Sequence, residues 1–454
     1  MSFRQDKRQR LLPTLFLTFT APFLTFHVIA STKESFLAKG FAGRDLLKAS
    51  SEKIPESLGL PTSILYCMLM FCFIPFRYSY GFSRGWNGDM TGRAGFPHHE
   101  LATYLSSMLS LMSSIMLGFL DDVFDIRWRL KMPIPILASL PMLVVYRAGR
   151  GGTSVVVPGW PLLLRQWIGS SIIDLGPIYH LFILLLSTFS VHSINILAGI
   201  NGVEVGQALI IALSLCCNDI LYLDPRAGQP GSFATVELRD RHLFSLALLL
   251  PFCGCCIGLL AWNRFPAKVF VGDTFCYFAG QVLACAGVLG HFSKTLLLFF
   301  VPQLINFGLS LPQLFGLVPC PRHRVPTVDL NNMTLYPSQA LFSPEKPAKP
   351  IAVAVLRLFS AFRFVHLEWD QRDCHPNQRR LKSTTNLTIL NAILVLRGLR
   401  PQQIKSREDS NDTRPTSSAR INEYQLWCHV MVFQIFCSLC AFAVRYWLAA
   451  VVFP

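Results

Sequence analysis

Charge is what this 454-residue sequence is shortest of. Asp, Glu, Lys and Arg make up 15% of it, while apolar residues make up 52% and the mean hydropathy is +0.42. Ordinary soluble chains carry about 25% charged residues. The deficit excludes a string of soluble domains and points to a polytopic membrane protein. Acids are scarcer than bases, 26 Asp and Glu against 41 Lys and Arg, for a net charge of +15. That imbalance suits loops beside anionic head groups or phosphate-bearing ligands. Nucleic acid is not an expected partner, because no basic stretch carries interleaved stacking aromatics. Internal repeats are missing too. The fourteen cysteines lack the setting of a zinc site. Both C-x-x-C spacings, Cys253 to Cys256 and Cys437 to Cys440, fall inside apolar runs, where free thiols buried in helices are expected.

Long apolar runs are what the chain does have. After a basic start (Arg4, Lys7, Arg8, Arg10) the first covers 11–30. It is read as a retained helix, although Val28 and Ala30 have the spacing of a signal-peptide cleavage site. Further spans are expected at 58–76, 101–120, 132–146, 178–193, 203–223, 243–262, 274–290, 295–318 and 426–452, with Pro133, Pro135, Pro141, Pro302 and Pro312 kinking two of them. The expected fold is all-α, with about ten transmembrane helices. Residues 1–318 would form the membrane domain and 426–454 the last helix. Between them, 319–425 would form a small mixed extramembrane unit carrying a flexible Ser/Asp/Arg-rich insertion at 405–420.

Orientation follows from Lys and Arg. Numbered from the first helix, the odd connections hold 26 basic residues, whereas the even ones and the N-terminal tail hold 14. The positive-inside rule then puts the odd connections in the cytoplasm and both termini across the membrane. The basic N-terminal tail pulls the other way, and most of the 26 come from one long connection, where the rule is weak. Asn332, Asn386 and Asn411 head glycosylation sequons, and a cytoplasmic placement predicts that none is modified.

Polar residues at odds with their surroundings gather in the odd connections, hence on one membrane face whichever way the chain runs. The first holds Asp45, Lys48 and Glu56. The next begins within LGFLDDVFDIRWRLK, with Asp121, Asp122 and Lys131. HSINILAGINGVEVGQ supplies Asn195 and Asn201, FPAKVFVGDT supplies Phe270 and Asp273, and PCPRHRVP supplies Arg322, His323 and Arg324. Asp273 stands at the mouth of the uncharged run 275–290, where a carboxylate costs less than the roughly 2.5–3.5 kcal/mol of a helix centre. It is either a helix cap or a functional group. Together these residues offer hard oxygen ligands for Mg²⁺ (Asp273, Asn195), fixed positive charge for phosphate oxygens (Lys131, Arg322, Arg324) and Gly-rich backbone for close approach. Such a set suits phosphoryl transfer, which relies on positioning and charge neutralisation. The competing class is a nucleotide-sugar or organic-anion transporter, which would place its site near the midplane and often show repeat symmetry.

LGFLDDVFDIRWRLK, NILAGINGVEVGQ, VFVGDTFCYFAG, GHFSKT and PCPRHRVP resemble the polyprenyl-phosphate N-acetylhexosamine-1-phosphate transferases, particularly the eukaryotic members, which tunicamycin targets. The resemblance runs with gaps from about Gly43 to Pro326. It implies ten helices in the endoplasmic reticulum membrane, an active site facing the cytosol, and transfer of GlcNAc-1-phosphate from UDP-GlcNAc to dolichyl phosphate with release of UMP, opening N-glycan precursor synthesis. It further implies that Asp273 and Asn195 bind Mg²⁺, that Lys131, Arg322 and Arg324 hold phosphates, and that Asp121 and Asp122 lie at the reaction centre. His323 would help read the acetamido sugar. Phe270 would stack on uracil with Asn201 and Glu56 nearby, and Asp45 joins the substrate-binding group. The partners implied are UDP-GlcNAc, dolichyl phosphate and the bilayer, with a homodimer allowed. Two positions depart from the family pattern: His192 stands where Asn is usual, and Asp125 replaces an Asn after the acidic pair.

Overall fold

A computed structural model of the chain describes residues 2–48, 52–86, 97–149, 151–159, 165–167, 169–223, 235–343, 345–370, 380–402 and 420–452. The long helices are α1 (Ser2–Ala38), α2 (Gly59–Trp86), α3 (His98–Phe124), α5 (Ile134–Ala148), α6 (Pro177–Ile196), α7 (Val203–Leu221), α8 (Val236–Asn263), α9 (Gly272–Leu289) and α14 (Glu423–Ala443), with a single turn, α4 (Trp128–Lys131), before α5. Among the described residues, nine helical segments are long and apolar enough to cross a membrane. A tenth comes from α10 (Ser293–Phe299) and α11 (Val301–Leu314), which meet at a 70° bend. Pro302 in the first turn of α11 accounts for the break, since it has no N–H to continue the ladder of α10.

The membrane domain is built round α9. Its apolar window is 89% buried, against 28% for α1 and 33% for the last helix, whose outward faces carry the apolar residues a lipid solvent accepts. Small residues bring the neighbours close. A Cβ on Gly118 of α3 would lie 2.9 Å from Thr274, one on Gly280 would lie 2.4 Å from Val191 of α6, and one on Gly59 of α2 would lie 2.5 Å from Phe275. The Gly254/Gly258 pair of α8 does the same for α1, with Cβ positions 2.8 Å from the Thr18 carbonyl and 2.5 Å from that of Pro22. Such pairs let backbones touch where lipid supplies no hydrophobic drive. The first apolar run is thus built into the bundle as a helix.

Several boundaries differ from expectation: α1 runs on to Ala38 rather than residue 30, and α8 begins at Val236 rather than 243. Helix α2 runs past residue 76, because Arg77 is buried and paired with Glu100 at 2.7 Å rather than left in solvent. The fourth span begins earlier than expected, at Arg129, and takes in the turn that carries Lys131.

Short strands decorate the ends. An antiparallel hairpin, β1 (Ala42–Arg44) with β2 (Lys53–Pro55), joins α1 to α2, and β3 (Ser154–Val156) pairs with β4 (Ile172–Asp174). After α11 come the pair β5 (Thr327–Asp329) and β6 (Thr334–Tyr336), then a sheet of β7 (Gln339–Leu341), β9 (Leu381–Thr385) and β8 (Leu367–Trp369) in that order. Helices α12 (Pro350–Ala361) and α13 (Ile389–Leu396) pack beside them. Strands and helices thus mix in the stretch before the last helix; residues 405–419 of the insertion, with Asn411, lie outside the described residues. Asn386 is buried, donates to Ser338 Oγ at 2.8 Å and accepts from Gln313, so the folded chain hides that sequon.

Candidate active site

The site grows from the N-terminus of α9. Gly272 precedes Asp273 with φ 71°, and a Cβ there would sit 2.5 Å from Asp122 Oδ2. Only glycine lets the Asp122 carboxylate approach so closely. Asp122 then accepts from Asp273 N at 2.6 Å, Thr274 N at 3.2 Å and Thr274 Oγ1 at 2.5 Å, satisfying donors that a helix start leaves orphaned. The capping role open to Asp273 therefore falls to Asp122, and the Asp273 side chain makes none of its own helix's capping bonds.

Freed from that task, Asp273 faces three other segments. Its Oδ1 accepts from Asn195 Nδ2, at the end of α6, at 2.7 Å, and its Oδ2 bonds Lys131 Nζ. The same ammonium lies 2.5 Å from Asp121 Oδ2, and the Tyr277 ring sits 5.8 Å from it. His192 contacts the Met132 carbonyl at 3.3 Å, which pins the turn after Lys131. Asp121, Lys131, Asn195 and Asp273 thus converge from α3, α4, α6 and α9. Two carboxylates, Asp121 and Asp273, share one ammonium, and with Asp122 alongside the cluster is net negative and suited to a cation.

A second group lies beside it. Gly43 of β1 has its Cβ position 3.0 Å from both Glu56 Oε2 and the Phe270 ring, so the hairpin, Glu56 and Phe270 meet at one point. Phe270 is held through its backbone, its N–H donating to Pro55 O at 2.8 Å and its C=O accepting from Leu58 N at 3.1 Å, with the ring half-buried. Burial, reinforced by the charges of Asp122 and Asp273, raises the Glu56 pKa. Burial also opposes ionisation of Asp45. Hydrogen bonds from Lys48, Asn201 and the Leu47 amide outweigh it and hold the Asp45 pKa below the ordinary value.

Asn201 is occupied on every side. Its Oδ1 accepts from Ala267 N at 3.0 Å, and its Nδ2 donates to Asp45 Oδ2 at 3.0 Å and to Glu423 Oε1. Its backbone N–H also donates to Glu423 Oε1, at 2.7 Å. Glu423 was not singled out from the sequence. Its signal there is only the capping box N-E-Y-Q that opens α14, which says nothing of a partner 222 residues away.

The PCPRHRVP loop reaches the C-terminal end of α3, just past the acidic pair. Arg322 Nη2 bonds Asp125 Oδ2 at 3.0 Å in a solvent-exposed pair, and Asp125 takes the left-handed conformation that ends α3. Among the described residues, exposed His323 bonds none of the acidic side chains, whereas Arg324 is partly buried. Its Nη1 has no hydrogen-bond partner among the described residues, and burial draws its pKa below the usual arginine value. A buried guanidinium nitrogen without an acceptor is costly unless a ligand oxygen reaches it.

Comparison with known proteins agrees with this architecture. Residues 104–291 match the model of glycosyl transferase family 4. The UDP-N-acetylglucosamine–dolichyl-phosphate N-acetylglucosaminephosphotransferase of Saccharomyces cerevisiae is 41% identical, covering 81% of each chain. That of Schizosaccharomyces pombe is 41% identical over 85% of each, and that of Dictyostelium discoideum 37% identical over 95% of this chain and 88% of its own. The chain is a multi-pass membrane protein that belongs to the UDP-N-acetylglucosamine–dolichyl-phosphate N-acetylglucosaminephosphotransferase family.

Proposed function

We propose that this protein transfers GlcNAc-1-phosphate from UDP-GlcNAc to dolichyl phosphate, giving GlcNAc-pyrophosphoryl-dolichol and UMP, with Mg²⁺ as cofactor. The observation that carries the reading is the meeting of Asp121, Lys131, Asn195 and Asp273 at one membrane edge. In the reaction, a phosphate oxygen of the lipid attacks the sugar-bearing phosphorus of the donor. The bond from that phosphorus to the bridging oxygen breaks, and the bridging oxygen leaves with UMP. A lipid phosphate is already ionised at neutral pH, so neither Asp121 nor Asp122 is needed as a base.

Each residue then has a task set by its charge and place. Lys131 offsets the negative charge of the pyrophosphate, and Arg322 and Arg324 hold phosphate oxygens, the unpartnered Arg324 nitrogen supporting that use. Asp121 orients Lys131, and Asp122 fixes Asp273. Phe270 gives uracil a stacking face, flanked by Glu56 and by the segment that Asp45 and Asn201 hold, while His323 contacts the acetamido sugar.

The donor set fits Mg²⁺. Among the described residues no three His, Cys, Asp or Glu side chains cluster as metal ligands. Mg²⁺, however, commonly takes one or two protein oxygens and completes its shell with water and substrate phosphates. The Asp273 carboxylate and the carboxamide of Asn195 would hold it. When bound, it neutralises charge on the pyrophosphate.

The basic odd connections support a site facing the cytosol, and an endoplasmic reticulum membrane and a homodimer are compatible with the reading. Purified protein should release UMP from UDP-GlcNAc only with both Mg²⁺ and dolichyl phosphate. Folded protein that binds both substrates without releasing UMP, or that carries UDP-GlcNAc intact into liposomes, would overturn it.

A further inference from the structure

Glu423 opens the last transmembrane helix, far in sequence from every residue of the site, yet its side chain is buried and ends on Asn201. One carboxylate oxygen takes both the backbone and the side-chain N–H of Asn201, and the other is buried without a hydrogen-bond partner among the described residues. Through Asn201 the contact reaches Asp45, which Lys48 pairs at 2.7 Å, and Ala267, three residues before Phe270. Four segments are joined at one amide: the β1–β2 connection, the turn between α6 and α7, the loop that ends at Phe270, and α14. An apolar cluster beneath it, with Leu47, Leu197, Ile200, Leu426 and Val430, excludes water.

We infer that Glu423 is a positioning residue for donor binding, acting through Asn201 to set the spacing between the Asp45 segment and the Phe270 loop. The inference rests on the proposed reaction, because it concerns the pocket that takes the nucleotide. Asn201 makes four hydrogen bonds to three residues, which leaves its amide one orientation, and the carboxylate accepts two of the four. Without it, Asn201 can turn, and the two walls lose their common reference.

The test is steady-state kinetics of full-length protein in detergent with dolichyl phosphate, following UMP. Glu423→Ala and Glu423→Asp should each raise KM for UDP-GlcNAc about tenfold or more, while kcat and KM for dolichyl phosphate stay within about threefold. Glu423→Gln keeps an acceptor oxygen at the same reach and should recover most of the loss. Asn422→Ala removes the helix cap but leaves the Asn201 contact, so it should lower thermal stability without moving KM. If the Ala variant does not fold, the Asp variant decides, since it retains the charge but draws it back along the chain. An unchanged KM in Glu423→Asp, or parallel losses in kcat and both KM values matched by Asn422→Ala, would overturn the inference. Wild-type protein that releases no UMP would instead sink the proposed function.

Discussion

Replacing Asp122 with Asn should separate holding the site from performing its chemistry. Asp122 receives three donors from the start of α9, two backbone N–H groups and one hydroxyl. An asparagine keeps one acceptor oxygen and turns an NH₂ group toward the remaining donors. Loss of a cap costs about 0.5–2 kcal/mol, and loss of negative charge at a helix N-terminus about 0.3–1 kcal/mol more. The variant should therefore be about 1–3 kcal/mol less stable, read by chemical unfolding in detergent. The fraying also displaces Asp273, whose amide is one of the three donors, and misplacement near 1 Å can cost about 100-fold. Turnover is expected to fall about 10- to 100-fold, in step with stability, and Asp122→Glu, which preserves the charge, should fall less. If Asp122→Asn unfolded like wild type yet lost all UMP release, the capping account would be refuted and Asp122 would act on the substrate directly.

Asp273→Asn should show the opposite pattern, with turnover down by about 100-fold or more and stability near wild type, because removing the charge leaves Lys131 paired with Asp121; normal turnover would remove Asp273 from the site. Arg322→Lys should be severe, since an ammonium cannot reproduce the bidentate fork, whereas breaking its exposed pair by Asp125→Asn should alter stability by less than about 1 kcal/mol. His291, in the turn after α9, stacks on Tyr146 at 5.2 Å, and burial, with the charge of Arg241, lowers its pKa to about 4 from 6.5. The unfolded chain then binds the extra proton between those values, so stability should fall as pH drops from 6.5 toward 4. His291→Asn, which tolerates the residue's positive φ, should flatten that slope in thermal unfolding measured against pH.

Helices were legible because their signal is local. Hydropathy over a window of about twenty residues reports whether a segment can sit in lipid, and Pro302 marked the break between α10 and α11. Boundaries were harder where a charge is buried: Arg77 reads as the end of a span until Glu100 is seen beside it. The site was half legible. Placing Asp121, Asn195, Asp273 and the PCPRHRVP loop in odd connections required only counting spans, and that places them on one face. Their division of labour required distances. Asp121 and Asp122 are neighbours in sequence, but α3 turns one toward Lys131 and the other toward the start of α9.

The sequence by itself determined a membrane protein, its approximate span count and, through its motifs, its family. Those properties depend on composition, local periodicity and the order of segments, which hold whatever the packing. Only the tertiary structure decided that Asp122 rather than Asp273 caps α9, that Asn201 ties its own turn to three other segments, and that Glu423 is one of its partners. Each rests on contacts between residues more than sixty positions apart, and such contacts exist only once Gly59, Gly118 and Gly280 have let the helices close on α9.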